Sequence, residues 1–225
     1  MSKEMKRYKL KLKNKYVVGE DYYVFDFNIP ENIEFKEGQY GVFMHVDKEI
    51  EGRKIRVFSI ASSINEEIFK ISLKITIDPS DFKAKMRDLE IGDSMTFDGP
   101  MGTFILEEEY DSVFIAGGIG ITPIRGLLHQ LDELKSPRKS ELIYSEPREI
   151  YPFKDEFDNM DFVEKHYKNT KENTKEIIDK VSKKHLDNTF YYVSGSPGFV
   201  TSVKEQLIEN EVNSSNIKFD RFTGY

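Results

Sequence analysis

Val113-Phe-Ile-Ala-Gly-Gly-Ile-Gly-Ile-Thr-Pro123 is the stretch on which the fold turns. An apolar run rich in β-branched and aromatic residues ends in three glycines, and Thr122-Pro123 follows. The pattern predicts a strand, a tight turn and a helix, with Thr122 as N-cap and Pro123 at the first helical position. Glycines in such a turn let backbone N–H groups approach a ligand, and the helix start that follows favours phosphate. Gly117, Gly118 and Gly120 do not have the G-x-G-x-x-G spacing, and glycine turns also serve packing. The segment by itself therefore fixes a local fold more firmly than a ligand.

Downstream, Phe190-Tyr-Tyr-Val-Ser-Gly-Ser-Pro-Gly-Phe199 repeats the strand, small-residue turn and helix start. Strands are expected at Ser112–Ala116, Glu141–Tyr144, Phe162–Lys165, Phe190–Val193 and Ile217–Asp220. Helices are expected at Pro123–Lys135, Thr174–Lys184 and Pro197–Glu209. This alternation predicts a parallel α/β sheet. Ligands of such sheets bind outside the carboxyl ends of the strands, so two glycine turns at two strand ends describe one crevice with room for a flat ring.

Upstream the period changes to two. Tyr22–Ile29, Tyr40–Val46, Arg56–Ala61, Ile68–Ile77 and Ser94–Phe97 alternate and are separated by turn residues, which predicts an antiparallel β-barrel or a sandwich. One helix fits at Ser80–Leu89, where Phe82, Met86 and Leu89 share a face. The boundary falls near Glu107–Tyr110, giving a barrel domain over 1–106 and an α/β domain over 107–225. In the barrel, alternation puts Arg56 and Phe58 on one strand face. A cation beside an aromatic suits a phosphorylated planar ligand or a plain surface cation–π contact.

Composition narrows the function classes. The 225 residues carry a net charge of −7, with +6 in the first sixteen and −13 in the rest. A nucleic-acid protein would carry the opposite overall sign, and the basic start, where Lys9, Lys11 and Lys13 alternate with Leu10 and Leu12, reads as a solvated strand face. The absence of cysteine removes disulfides, thiolate metal sites and iron–sulfur clusters. No apolar run approaches the roughly 18 residues of a spanning helix, and Met1 to Lys15 lacks the apolar core of a leader. A cytoplasmic protein without membrane insertion is expected. His45, His129, His166 and His185 stand isolated without metal-ligand spacing, so no metal is expected and structural roles are assigned to them. Glu107-Glu108-Glu109 reads as an exposed charge run, and Ser62-Ser63 and Ser214-Ser215 lack a neighbouring base.

Taken in order, five segments along nearly the whole chain resemble the ferredoxin–NADP reductase superfamily of two-domain flavin enzymes. Arg56-Val57-Phe58-Ser59 is similar to the family's Arg-x-Tyr-Ser flavin motif, with Phe in place of Tyr. The resemblance implies that Arg56 meets flavin phosphate, that Phe58 packs on the flavin or its ribityl chain with Val57 beside it, and that Ser59 approaches N5. Asp78 to Met86 resembles the pyrophosphate-binding helix start, with Lys83 where Ser or Thr is usual, so the Lys83 ammonium or the N–H groups of Phe82 and Lys83 would hold phosphate. Ile75 and Thr76 are implied as further flavin contacts. Gly99-Pro100-x-Gly102-x-Phe104 resembles the turn between the family's domains.

Gly117, Gly118, Gly120, Thr122 and Pro123 resemble the nicotinamide-nucleotide pyrophosphate loop. Ser194, Gly195 and Pro197 resemble the Cys-Gly-x-Pro stretch beside the nicotinamide, with Ser for Cys. Asp220-Arg221-Phe222 takes the place of the terminal Glu-x-aromatic, which makes Ser59, Ser194, Asp220 and Phe222 the catalytic candidates and Phe222 or Tyr225 the ring that covers the flavin. Ser145 and Arg148 would read a 2′-phosphate, with Glu146 opposing, which suggests a modest NADPH preference. The implied function is a hydride transfer from NAD(P)H to FAD (FMN less so), with electrons passed to a separate protein such as a ferredoxin or flavodoxin. An electron-transfer subunit of a larger complex and a non-catalytic flavin or nucleotide sensor are the alternatives.

Overall fold

The computed structural model describes residues 6–185 and 188–222. The chain divides between Ile105 and Leu106 into two compact units. The first holds β1 (Lys6–Val18), β2 (Tyr22–Asn28), β3 (Tyr40–His45), β4 (Ile55–Ser59), β5 (Ile68–Lys74), α1 (Asp81–Arg87) and β6 (Ser94–Met101). The second holds β7 (Asp111–Gly117), α2 (Ile121–Leu134), β8 (Ser140–Ser145), α3 (Lys154–Asp158), β9 (Val163–Lys168), α4 (Lys171–Lys184), β10 (Thr189–Gly195), α5 (Pro197–Glu209) and β11 (Ile217–Arg221).

In the first unit six strands form one antiparallel sheet in the order β4-β3-β6-β1-β2-β5. The long β1 serves two neighbours: Lys6–Lys11 pairs with β6, and Leu12–Val18 pairs with β2, with a register shift between Leu12 and Asn14. The sheet curls until its edges meet, where the Ala61 N–H just past β4 donates to the Lys70 carbonyl of β5 at 2.8 Å. Alternation sends Leu10, Leu12, Phe25, Phe27, Phe43, Phe69 and Phe97 inward, and Phe82 and Met86 of α1 cap the same core. Lys9, Lys11 and Lys13 face solvent.

In the second unit five parallel strands run in the order β11-β10-β7-β8-β9. The chain starts in the middle with β7, builds out to β9, then crosses back to place β10 on the other side of β7. The order therefore reverses between β7 and β10, which is the switch point where such sheets take ligands. Alternate residues Val113, Ile115, Ile143, Tyr191 and Val193 pack with Ile177, Ile178 and Val181 of α4 and with Val200, Val203 and Leu207 of α5.

Two local expectations do not hold. The helix after the glycine turn begins at Ile121 with Gly120 as its N-cap, not at Pro123. Thr122 is not the N-cap: its hydroxyl donates to the Ile119 carbonyl at 2.8 Å, inside the 3₁₀ turn Gly118–Gly120 that leads into the helix. The turn continues into the helix without the extended residue that a hydroxyl cap needs. The short α3 had no periodic signal, being only five residues long.

Candidate functional site: a cation pair in the barrel and a glycine crevice in the α/β sheet

In the barrel unit Arg56 and Phe58 are half-buried on one face of β4, while Ile55 and Val57 are exposed on the other. Ser59, at the strand end, is buried. The Phe58 ring packs on the core with its centroid 5.3 Å from Phe43 and 6.2 Å from Phe82. The Arg56 guanidinium lies 5.3 Å from the Phe82 ring centre, and its Nη1 donates to the carbonyls of Arg53 and Ile55 at 2.7 and 2.9 Å. Lys83 is half-buried rather than solvated, and its Nζ donates to the Lys74 carbonyl at 2.9 Å. Burial, then the Arg53 charge, holds the Arg56 guanidinium below its ordinary pKa. Burial, then the charges of Arg56 and Lys74, lowers the Lys83 amine.

Among the described residues, neither Arg56 nor Lys83 meets a carboxylate. Two neighbouring cations destabilised by burial and by like charge form a site that an anion would relieve. Ser80 caps α1 without a side-chain bond, leaving its first-turn amides unclaimed by that hydroxyl. The His45 Nε2–H donates to the Phe82 carbonyl at 3.0 Å and its ring lies 4.6 Å from that of Phe82, so α1 is held from behind. Phe82 itself lies in the core and offers only backbone to a ligand. Ile75 is likewise a core residue whose N–H donates to Asp21, whereas Thr76 is exposed.

In the α/β unit the two glycine turns touch. A Cβ on Gly120 would overlap the Ser194 carbonyl and come within 2.7 Å of the Gly195 Cα. A Cβ on Gly117 would lie 2.8 Å from the Phe199 ring, which also packs against Gly195. The loop at the end of β7 and the loop at the end of β10 therefore close on each other only because Gly117, Gly120 and Gly195 carry no side chain where they meet. Ser194 is fully buried and its Oγ has no hydrogen-bond partner among the described residues. Pro197 opens α5, whose N-cap Ser196 accepts from the Phe199 N–H at 3.3 Å. Ser194 pairs in register with Asp220, and the Phe222 N–H donates to the Gly195 carbonyl at 2.9 Å. Four of the sequence-predicted residues, Gly120, Ser194, Asp220 and Phe222, thus converge on one strand end. Tyr225 lies outside the described residues.

At the end of β8, the Thr174 hydroxyl donates to Thr170 at 2.7 Å, so Ser145 donates to Thr174 at 2.9 Å. Arg148 is not free: its Nε donates to Glu146 at 3.2 Å, and its backbone N–H reaches the same carboxylate oxygen at 3.1 Å. Glu146 is buried.

The histidines are not isolated in three dimensions. His129 bonds Glu156, which also pairs with the buried Arg125. Glu141, buried in β8, accepts from His166 at 3.0 Å, from Lys184 at 2.7 Å and from His185. Burial pushes the Glu141 carboxyl up, but the bonds from His166, Lys184 and His185 outweigh it and hold the pKa at about 2. Sequence spacing missed this cluster because its members come from two parallel strands and a helix end. It also missed Arg53 and Phe199, whose roles arise only once the loops are folded.

These features fit the nucleotides that the resemblance implies. The anion-deficient cation pair suits a flavin pyrophosphate, and the crevice at the switch point, with its orphaned Ser194 hydroxyl, suits a second nucleotide. Comparison with known proteins agrees. A family model described as an oxidoreductase FAD-binding domain matches residues 9–105, and one described as an oxidoreductase NAD-binding domain matches residues 114–205. The chain is 26% identical to flavohemoprotein B of Dictyostelium discoideum over 75% of its length and 45% of that protein's. It is 27% identical to one subunit of the Na(+)-translocating NADH-quinone reductase of Pasteurella multocida, over 88% of its length and 56% of that relative's. The chain thus spans about half the length of these relatives. A ferredoxin NADP+ reductase from Neisseria gonorrhoeae, solved with FAD and NADP, shares the fold with a TM-score of 0.79 at 18% identity, covering 97% of this chain and 99% of that one.

Proposed function

Because the chain belongs to the ferredoxin–NADP reductase superfamily, we propose that it is an NAD(P)H-dependent flavoprotein reductase that passes electrons to a separate protein, such as a ferredoxin or flavodoxin. The observation that carries this reading is the pairing, in one chain, of an uncompensated cation site with a glycine-lined crevice at a sheet switch point. FAD, when bound, would supply the redox chemistry, two-electron exchange with a nicotinamide and one- or two-electron exchange with an acceptor. Arg56 and Lys83 would hold the flavin phosphates, Phe58 would pack against the cofactor and Ser59 would lie near its reactive N5. Gly117, Gly118 and Gly120 admit the pyrophosphate of the nicotinamide nucleotide. Ser194, Asp220 and Phe222 orient its reactive end.

The preferred donor is NADH, which revises the expectation from sequence. A 2′-phosphate needs Arg148, and Arg148 already serves the buried Glu146. That carboxylate opposes a phosphate and suits a ribose hydroxyl. A second reading is an electron-transfer subunit whose partner carries a further redox centre. It is supported by the likeness to the quinone reductase component, only about half of which this chain covers. No helix of the described residues is long and apolar enough to cross a membrane, and a cytoplasmic setting is part of the proposal. Purification decides the main point: the protein reconstituted with FAD should be yellow and should bleach anaerobically with NADH. A preparation that takes up no flavin, or whose flavin ignores both nucleotides, overturns the proposal. Co-purification with a second redox chain selects the alternative reading.

A further inference from the structure

The geometry points to a divalent metal site on the outer edge of the α/β sheet, formed by Glu141, Glu164 and His166 and apart from the glycine crevice; we propose that it takes Zn2+. The donor atoms of these three side chains all lie within 4.8 Å of one another. His166 Nε2 is 3.0 Å from one oxygen of Glu141 and 3.7 Å from Glu164. Ligands held at about 2.0–2.2 Å from a tetrahedral zinc stand about 3.3–3.6 Å apart, so movements of about 1 Å suffice. Strand geometry explains the convergence. Glu164 and His166 are two residues apart on the edge strand β9 and so share a face, and Glu141 on β8 is the register partner of Glu164.

The set is not a patch of surface acids. Glu141 is buried, His166 is largely so and Glu164 is exposed, which leaves one side open to water for the remaining ligands. One imidazole with two carboxylates suits a borderline divalent ion such as zinc. The far oxygen of Glu141 is held by the buried His185, as outer-shell groups hold metal-bound carboxylates. Lys184 occupies the cation position, 2.7 Å from Glu141 and 3.2 Å from Glu164. It is half exposed at the end of α4, so its amine can swing into water and leave two carboxylate charges for a dication.

Lys184 makes the test directional. Zinc is titrated calorimetrically into the chelator-stripped, FAD-loaded full chain, and bound zinc is counted after dialysis. One zinc per chain is expected. His166→Gln and, separately, the exposed Glu164→Gln should weaken binding roughly tenfold or more. Lys184→Met should tighten it about fivefold or more, because a competing positive charge is removed. If Glu141 is only a structural tie, Lys184→Met leaves zinc affinity unchanged or merely lowers stability, and that result overturns the site. So does binding that survives both His166→Gln and Glu164→Gln, or no binding by the parent chain below about 1 mM, a contact energy of only ~4 kcal/mol.

Discussion

Arg56 and Lys83 in the barrel unit meet backbone carbonyls and one another's charge, whereas Arg125, Arg148 and Lys184 in the α/β unit each meet a carboxylate. The barrel leaves positive charge uncompensated at its candidate site. The α/β unit neutralises its buried charge internally and forms its crevice from missing side chains. The two arrangements suit different ligands. Charge-assisted contacts favour a cofactor that stays, while backbone room favours a nucleotide that comes and goes. The difference therefore assigns the resident cofactor to the barrel and the exchanging substrate to the sheet.

The largest expected effect attacks the charged site. Arg56→Ala should remove a charge-assisted contact worth ~1.5–3 kcal/mol, which weakens flavin binding by roughly ten- to hundredfold. Flavin absorbance after dialysis reads it. An Arg56→Ala protein that stays fully yellow would show that the barrel does not hold its ligand by charge. The reciprocal test attacks room. Gly120→Ala drives a methyl into the Ser194 carbonyl, at a cost of roughly 1–3 kcal/mol. NADH turnover should fall steeply while flavin content stays normal. Unchanged turnover would mean that the close approach of the two turns is incidental.

The two units were legible in the sequence to different depths. The period-2 runs and the strand–helix alternation are local signals, so both sheets could be read from them. The two glycine turns were recognised individually, and their strand context placed them at one crevice. What could not be read was pairing across the fold. His166 shows no ligand spacing because Glu141 lies on another strand, and the Arg148–Glu146 pair, although only two residues apart, depends on how the turn after β8 folds. The helix start was misplaced for a related reason: Thr122-Pro123 carries a capping signature, yet the backbone was already helical from the tight turn before it.

Acid should sharpen the contrast in charge use. Burial raises the Glu156 carboxyl, but the bond from His129, the charge of Arg125 and the bond from Arg125 outweigh it and leave its pKa below the ordinary value. A depressed carboxyl stabilises the fold fully above its unfolded value near 4.5 and loses that contribution as pH falls through the folded value. Urea unfolding of the parent between pH 7 and pH 3.5 should therefore lose up to about 1.4 kcal/mol from this carboxylate, a pH-dependent loss that Glu156→Gln should not show. Parallel pH profiles for the two proteins would remove Glu156 from the account. The engaged Arg148 gives the next test. Glu146→Gln should shift the NADPH-to-NADH preference by about tenfold, or ~1.4 kcal/mol, toward NADPH. A parent that already favours NADPH tenfold would break the reading of that ion pair.

The smallest expected effect concerns Phe222. Its N–H is fixed to the Gly195 carbonyl, one residue past Ser194, and its side chain is only half-buried. On the proposed assignment, this half-buried ring beside the crevice would compete with an incoming nicotinamide. If it must move before the nucleotide seats, the competent state is only partly populated, and the apparent affinity is reduced by that fraction. Phe222→Ser should then tighten oxidised-nucleotide binding by about two- to fivefold, or less than ~1 kcal/mol. The shortened side chain leaves the backbone bond to Gly195 in place, so the crevice itself should persist. Flavin retention should not change, because the proposed flavin site lies in the barrel unit. Titration with NAD+, followed through the flavin spectrum, reads both quantities at once. Weaker binding with normal flavin content would make Phe222 a wall of the crevice rather than its gate, and loss of flavin would deny the separation of roles between the two units.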